Sequence, residues 1–268
     1  MDLVPHLPAH AESTIRQFLS AHALPPSAEG VVVGLSGGID SALCARLAAD
    51  ALGPERVLGV LLPAEGFPDS LLEETVGYAE ALGIAHRTVS LVGIVGAFRA
   101  ALPDVTDRIT TGNTVARLRM AVLYALARDQ RRLVLGTGNK SELLQGYFTK
   151  YGDGGVDLLP IGDLYKTQLR ALASDLGLPK ALRDRPPSAG FWEGQTDEEE
   201  LGTSYADLDR VLFGIEQLCR PDEIHERTGI PLEAIHRISE RVALTRHKRR
   251  LPPVAKIGWR TVGLDWRE

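Results

Sequence analysis

Two cysteines, two methionines and three tryptophans in 268 residues leave little material for a disulfide framework or a thiolate metal site. Cys44 and Cys219 lie far apart and form no C-x-x-C or zinc spacing, so both are expected to be buried thiols in a reducing compartment. The seven histidines are scattered. No stretch approaches 18 uninterrupted apolar residues, and Met1 to Ala11 carries neither a basic n-region nor an apolar h-region. No membrane association is therefore expected, and a cytoplasmic protein is. Positive charge is also short: 30 Lys and Arg against 35 Asp and Glu give a net charge of −5, so no global field draws nucleic acid to the chain. Neither an internal repeat nor a low-complexity tract is visible. What remains is 44% apolar content, enough to bury one sizeable core.

Short β-branched or leucine runs alternate with helical periods. Val31 to Leu35, Val57 to Leu62, His86 to Ser90 and Leu133 to Gly136 read as strands; Ser41 to Ala51, Ser70 to Leu82 and Thr114 to Arg128 read as helices, and another begins near Lys140. This alternation predicts an α/β fold: a doubly wound, mostly parallel sheet flanked by helices. A helix over 10–22 precedes the core of about 30–180. After about residue 150 the pattern changes, and Tyr151 to Gly155 and Arg185 to Gly190 are too rich in turn formers for regular structure. A helical period at Leu164 to Leu176 closes the core, and those at Tyr205 to Phe213 and Leu232 to His247 predict a helical annex over about 181–268. Thr196 and Glu199 have capping-box spacing, so the acidic run Asp197 to Glu200 reads as a helix start and not a metal site.

The most informative stretch is Ser36-Gly37-Gly38-Ile39-Asp40-Ser41, which follows the apolar run ending at Gly34 and Leu35 and precedes a helical period. A strand, a glycine turn and a helix N-terminus make a phosphate cradle, because glycines let main-chain N–H groups approach an anion that the helix dipole also favours. The common phosphate loop G-x-x-x-x-G-K-[ST] places a lysine where this chain has Asp40. A carboxylate beside polyphosphate repels it unless a cation lies between, so Asp40 implies Mg²⁺. The plainer alternative is a tight turn with an aspartate near a helix start. Gly136-Thr137-Gly138-Asn139-Lys140-Ser141-Glu142 repeats the same logic at a later strand end. Glu142 is a natural second ligand for a magnesium held by Asp40, while Ser141 or Asn139 equally serves as a helix cap.

The SGGxDS stretch resembles the signature of the PP-loop ATP pyrophosphatases, Rossmann-like proteins that cleave ATP between its α and β phosphates. Three further segments narrow the resemblance: Gly112 to Met120, the run from Gly146 to Lys166, and Pro187 to Glu198. Together they are similar to the ammonia-dependent NAD synthetases over roughly residues 12–260. The resemblance implies ATP-dependent amidation of deamido-NAD by ammonia, through an acyl-adenylate, with release of AMP and pyrophosphate. It implies that Gly34, Leu35, Ser36, Gly37, Gly38, Ile39, Asp40 and Ser41 bind ATP phosphates, with Thr137 near the adenylate and Lys166 and Ser188 on phosphate. Asp40 and Glu142 would hold Mg²⁺, and Asp40 and Lys166 would be catalytic. Arg117, Lys150, Asp157, His247 and Lys248 would contact deamido-NAD, at a site completed by the second chain of a homodimer.

A dinucleotide with a pyrophosphate and a free carboxylate needs such positive groups, although an arbitrary Lys or Arg is usually a solvated surface charge. The cluster Arg246-His247-Lys248-Arg249-Arg250 also suits a helix C-terminus, where cations complement the dipole. Ammonium must lose a proton before attack, and a buried carboxylate such as Asp157 or Asp163 is the expected acceptor. The adenine pocket is expected near Leu61 to Phe67, with no residue-level match. The phosphate loop begins at residue 36, so no amidase domain of the glutamine-using type is expected. The Arg185 to Gln195 loop has a composition compatible with a lid. Other PP-loop enzymes, such as those modifying tRNA, and a non-catalytic nucleotide sensor are the alternative readings.

Overall fold

The computed structural model describes residues 2–188, 190 and 194–262. Four strands, β1 (Gly30–Gly34), β2 (Val57–Leu61), β3 (Ala85–Thr88) and β4 (Arg132–Leu135), form a parallel sheet in the order β3-β2-β1-β4. The chain winds from β1 outward to β3 and then returns to the other side of β1. That reversal opens a crevice beyond the carboxyl ends of β1 and β4, where both glycine loops emerge.

The alternation along β1 builds two cores. Val31 and Val33 face helices α1 (Ala11–His22), α2 (Ile39–Leu52), α3 (Asp69–Ala81) and α7 (Lys166–Asp175). Val32, with Leu58, Val60 and Val134, faces α4 (Val92–Ala101) and α5 (Arg108–Asp129). Period-2 side-chain direction makes this unavoidable, and each fully buried valine contributes about 1.5–3 kcal/mol. A third core joins α10 (Tyr205–Glu216), α11 (Pro221–Thr228) and α12 (Leu232–Leu244) through Leu208, Val211, Leu212, Ile224, Ile235 and Ile238. Short helices α6 (Lys140–Gln145), α8 (Lys180–Asp184) and α9 (Asp197–Leu201) complete the connections. Among the described residues, no helix is long and apolar enough to cross a membrane.

Four expectations change. Helix α5 starts at Arg108, well before Thr114, because Asp107 caps it by accepting the Thr110 N–H at 2.7 Å. The intervening Thr-Thr-Gly-Asn run is poor in helix propensity, but Gly112 is buried and packing overrides it. Helices α4, α8 and α11 were not expected, and the last annex helix stops at Leu244, with a 3₁₀ turn over Arg246–Lys248. Cys44 is buried as expected, and burial pushes its thiol up; Cys219 is only half-buried, and both are free.

Candidate active site

Both glycine loops are shaped by close packing. Gly37 has φ +79°, and a Cβ there would meet Leu71 Cδ1 at 2.5 Å and Thr75 Oγ1 at 2.9 Å, so α3 tolerates no side chain at this position. Gly136 leaves β4 against Val156, whose Cγ2 would lie 2.6 Å from an added Cβ. Ser41 Oγ, in the first turn of α2, donates to Gly38 O at 3.0 Å and accepts the Ser36 N–H at 3.3 Å, which ties the phosphate loop to its helix. The first N–H groups of α2 have no intrahelical acceptor, and a helix N-terminus of this kind, with Asp40 and Ser41 on the crevice, suits an anion.

Asp40 and Glu142 meet across this crevice. Lys166 Nζ donates to Asp40 Oδ2 at 2.6 Å and to Glu142 Oε1 at 3.2 Å, so one cation already bridges the two carboxylates. Asn139 Nδ2 donates to the remaining Asp40 oxygen at 2.9 Å, while Asn139 and Glu142 form a reciprocal capping box at the start of α6. The cap alternative is realised through one Glu142 oxygen, and the other oxygen accepts from the Lys166 ammonium. Burial pushes the Glu142 carboxyl up, with Lys166 opposing and Asp40 reinforcing the shift. Lys166 is 1% exposed, and the carboxylates outweigh its burial and hold the ammonium above its usual range.

Lys166 and Glu142 owe their positions to an annex residue that sequence reasoning missed. Asp209, in mid-α10, accepts the Ser141 hydroxyl through Oδ1 and the Thr167 N–H at 2.8 Å through Oδ2, while Ser141 Oγ accepts the Lys166 N–H at 3.0 Å. One buried carboxylate thus satisfies the N-terminal turns of α6 and α7. Asp209→Ala should lower unfolding stability by about 2–3 kcal/mol, since charge-assisted bonds to orphaned N–H groups disappear. Equilibrium urea unfolding measures this, and an unchanged midpoint would remove the clamp role.

Asp197 was read as a helix-start acid, and it does open α9 after the Thr196 cap, but its side chain is buried. Oδ2 accepts from Tyr205 OH at 3.0 Å, and Oδ1 has no hydrogen-bond partner. Burial pushes this carboxyl up, and Lys166 opposes that. The expected buried proton acceptors differ: Asp163 has a 98% exposed side chain, pulled outward to Lys140, and Asp157 is exposed, accepting the Val134 N–H at 2.7 Å and Tyr124 OH at 3.0 Å at the sheet edge. Neither is the buried carboxylate the sequence reading asked for.

A cavity of about 440 Å³ fills the crevice, lined by Gly34, Leu35, Ser36, Asp40, Ser41, Thr137, Glu142, Ser188 and Lys248, among others. Leu35, Val60, Leu62, Phe67 and Leu123 give this cavity apolar lining, and Leu62 and Phe67 fall in the segment where the adenine pocket was expected. Ile39 points instead into the core, and Gly37 turns its carbonyl away toward Arg185. Arg117, Lys150, His247 and Asp157 do not line the cavity. The first three nevertheless gather with Lys248 on one surface: Arg117 Nε donates to Lys150 O at 3.3 Å, Lys150 Nζ to His247 O at 2.9 Å, and Lys248 Nζ to Gly146 O at 2.7 Å. Arg241, which also lines the cavity, was not foreseen. Of the possible lid, Ala189 and Phe191–Glu193 lie outside the described residues.

Two carboxylates close enough to share one cation suit Mg²⁺, which keeps waters and phosphate oxygens in its shell. Among the described residues, no group of three or more His, Cys, Asp or Glu side chains is arranged to hold a metal on its own. This donor set fits an ion that arrives with a polyphosphate.

The family model described as NAD synthase matches residues 12–252. Among curated proteins, the NH3-dependent NAD+ synthetase of Methanosarcina mazei is 47% identical over 251 residues, covering 92% of this chain and 98% of its own. Among solved structures, the NMN synthetase from Francisella tularensis aligns with a TM-score of 0.82 at 35% identity, over 92% of this chain and 98% of that one. The NH3-dependent NAD synthetase from Campylobacter jejuni, in complex with the nitrate ion, aligns with a TM-score of 0.75 at 31% identity, over 92% and 96%. Because the likeness runs through both glycine loops and the annex, and not through the phosphate loop alone, the chain belongs to the NAD synthase family.

Proposed function

We propose that this chain forms NAD from deamido-NAD, ATP and ammonia. The observation that carries the reading is the pairing of Asp40 and Glu142 around one cation at the mouth of an anion-binding helix terminus. The nicotinate carboxylate attacks the α-phosphate of ATP and expels pyrophosphate; ammonia then attacks the acyl-adenylate, giving NAD and AMP. A carboxylate is a poor electrophile until its oxygen can leave, and adenylation meets that need. The loop N–H groups and Lys166 stabilise charge on the phosphates as the bond breaks. Mg²⁺ held by Asp40 and Glu142 would neutralise phosphate charge when bound. Asp197, buried beside Lys166 and Asp40 with one carboxylate oxygen unpartnered, is the candidate acceptor for the ammonium proton, although it does not itself line the cavity.

The basic surface around Arg117, Lys150, His247 and Lys248 supports binding of an anionic substrate, and the same reading makes the protein a homodimer that completes the dinucleotide site. Exposed Val92, Ile94 and Ile109 on α4 and α5 support a second copy there. Sedimentation as a monomer at assay concentrations would remove that part. Lys150→Ala should raise the KM for the dinucleotide roughly fivefold, the effect of about 1 kcal/mol expected from a rim charge, and leave the KM for ATP unchanged. Equal changes in both would count against the assignment.

The likeness to the Francisella tularensis NMN synthetase favours one second reading, amidation of a mononucleotide in place of the dinucleotide. The test is incubation with ATP, Mg²⁺, ammonium and either deamido-NAD or nicotinate mononucleotide. NAD and AMP in equal amounts, with the larger kcat/KM for deamido-NAD, is the expected result. A preference for the mononucleotide selects the second reading, and accumulation of ADP overturns both.

A further inference from the structure

Arg185 is the feature that neither the motif reading nor the reaction scheme uses. It follows α8, and its half-buried guanidinium reaches across to the phosphate loop, donating through Nη1 to the carbonyl of Gly37 and through Nη2 to Glu74 Oε2 of α3 at 2.6 Å. Gly37 sits at φ +79°, where glycine exchanges conformations at little steric cost. In a trans peptide the C=O and the following N–H point in opposite directions. A carbonyl held by Arg185 therefore turns the Gly38 N–H to the opposite side, where it donates to Ser36 Oγ at 3.3 Å, and Ser36 lines the cavity. Turned the other way, the same peptide would present a carbonyl oxygen to an incoming phosphate and repel it.

We propose that Arg185 is a positioning residue that locks the Gly37–Gly38 peptide in its anion-binding orientation, with Glu74 as the anchor that aims the guanidinium. This rests on the reading of the crevice as the ATP site. Arg185 acts on the loop and not on the phosphate, and that distinction has opposite signs for two variants. Were Arg185 a direct phosphate partner, Glu74→Gln would release it toward the anion and tighten binding. As a lock it loses its aim when Glu74 is neutralised, and binding weakens. A lysine cannot engage both acceptors with one planar fork, so Arg185→Lys fails although its charge is kept.

The experiment is calorimetric titration of the full-length protein with inorganic pyrophosphate and with ATP, beside steady-state kinetics, for wild type, Arg185→Met, Arg185→Lys and Glu74→Gln. Arg185→Met and Arg185→Lys are expected to weaken both ligands about tenfold, and Glu74→Gln about threefold in the same direction. The KM for ATP should rise while that for the dinucleotide stays constant, a split that general loosening of the fold does not produce. Tighter binding in Glu74→Gln, or wild-type affinity in Arg185→Lys, overturns the lock. Should Arg185→Met fail to fold, Glu74→Gln at a part-exposed carboxylate still decides. A wild-type protein that binds pyrophosphate but forms no NAD would overturn the proposed reaction, leaving the lock to be judged on binding alone.

Discussion

Asp40→Asn is expected to lower NAD formation by about three orders of magnitude while the protein stays folded. The substitution keeps shape and one hydrogen-bond acceptor for Asn139 and Lys166 but removes half of the carboxylate charge that, on the proposed reaction, would hold a cation against the triphosphate. Losing one preorganised electrostatic partner at a phosphoryl centre commonly costs about 10²–10³ in rate, and here the metal and Lys166 lose it together. Lys166 keeps Glu142, so the stability loss should stay near 1–2 kcal/mol, below the about 3–5 kcal/mol of a buried charge left wholly unpaired. Coupled assay of NAD and AMP, with thermal unfolding on the same sample, checks both parts. Wild-type turnover in this variant would end the argument for a shared cation.

Lys166→Met is expected to act on turnover, ion binding and the pH dependence of stability together. It leaves Asp40 and Glu142 facing each other with no ammonium between them and, on the proposed reaction, removes the cation that would meet the departing pyrophosphate. Turnover should fall by about 10²-fold or more, and Mg²⁺ alone should bind more tightly than to wild type, because the competing internal cation is gone. The pH dependence has a definite sign. Glu142 is already raised by burial, and losing Lys166 raises it further. A carboxyl raised in the folded state holds its proton more tightly there than when unfolded, so stability declines as pH climbs from the unfolded value near 4.3 through the folded one. The variant should therefore unfold at a lower temperature at pH 8 than at pH 5, and added Mg²⁺ should recover part of the difference. A flat profile, or no response to the ion, would mean that the two carboxylates are not close partners in solution.

Much of this was legible before any coordinates. The strand ending at Gly34, the glycine pair and the acidic residue at Asp40 announce themselves because a glycine turn between apolar strand and helix has few other uses. The second loop carried the same signal, and its cap reading holds: one Glu142 oxygen caps α6 while the other accepts from Lys166. Arg117, Lys150, His247 and Lys248 were named from motif context and do share a surface, although only Lys248 reaches the cavity lining. Asp157 and Asp163 were weaker choices as proton acceptors. Nothing local in a sequence distinguishes an aspartate turned to solvent from Asp197 or Asp209, whose burial comes from helices packed over them. Helix α5 was placed late for the same reason: its first turns are poor helix formers held by Asp107 and by packing.

The sequence by itself determined the parallel α/β core, the two glycine loops and the acidic pair, because periodicity and backbone sterics act over a few neighbouring residues. Only the tertiary structure decided that Lys166 lies between Asp40 and Glu142, that Asp209 seats both helix starts, and that Arg185 grips the phosphate loop. Those contacts join segments 24 to 148 residues apart. Charge pairing over such separations depends on which faces the packed helices bring together, and no local pattern encodes that.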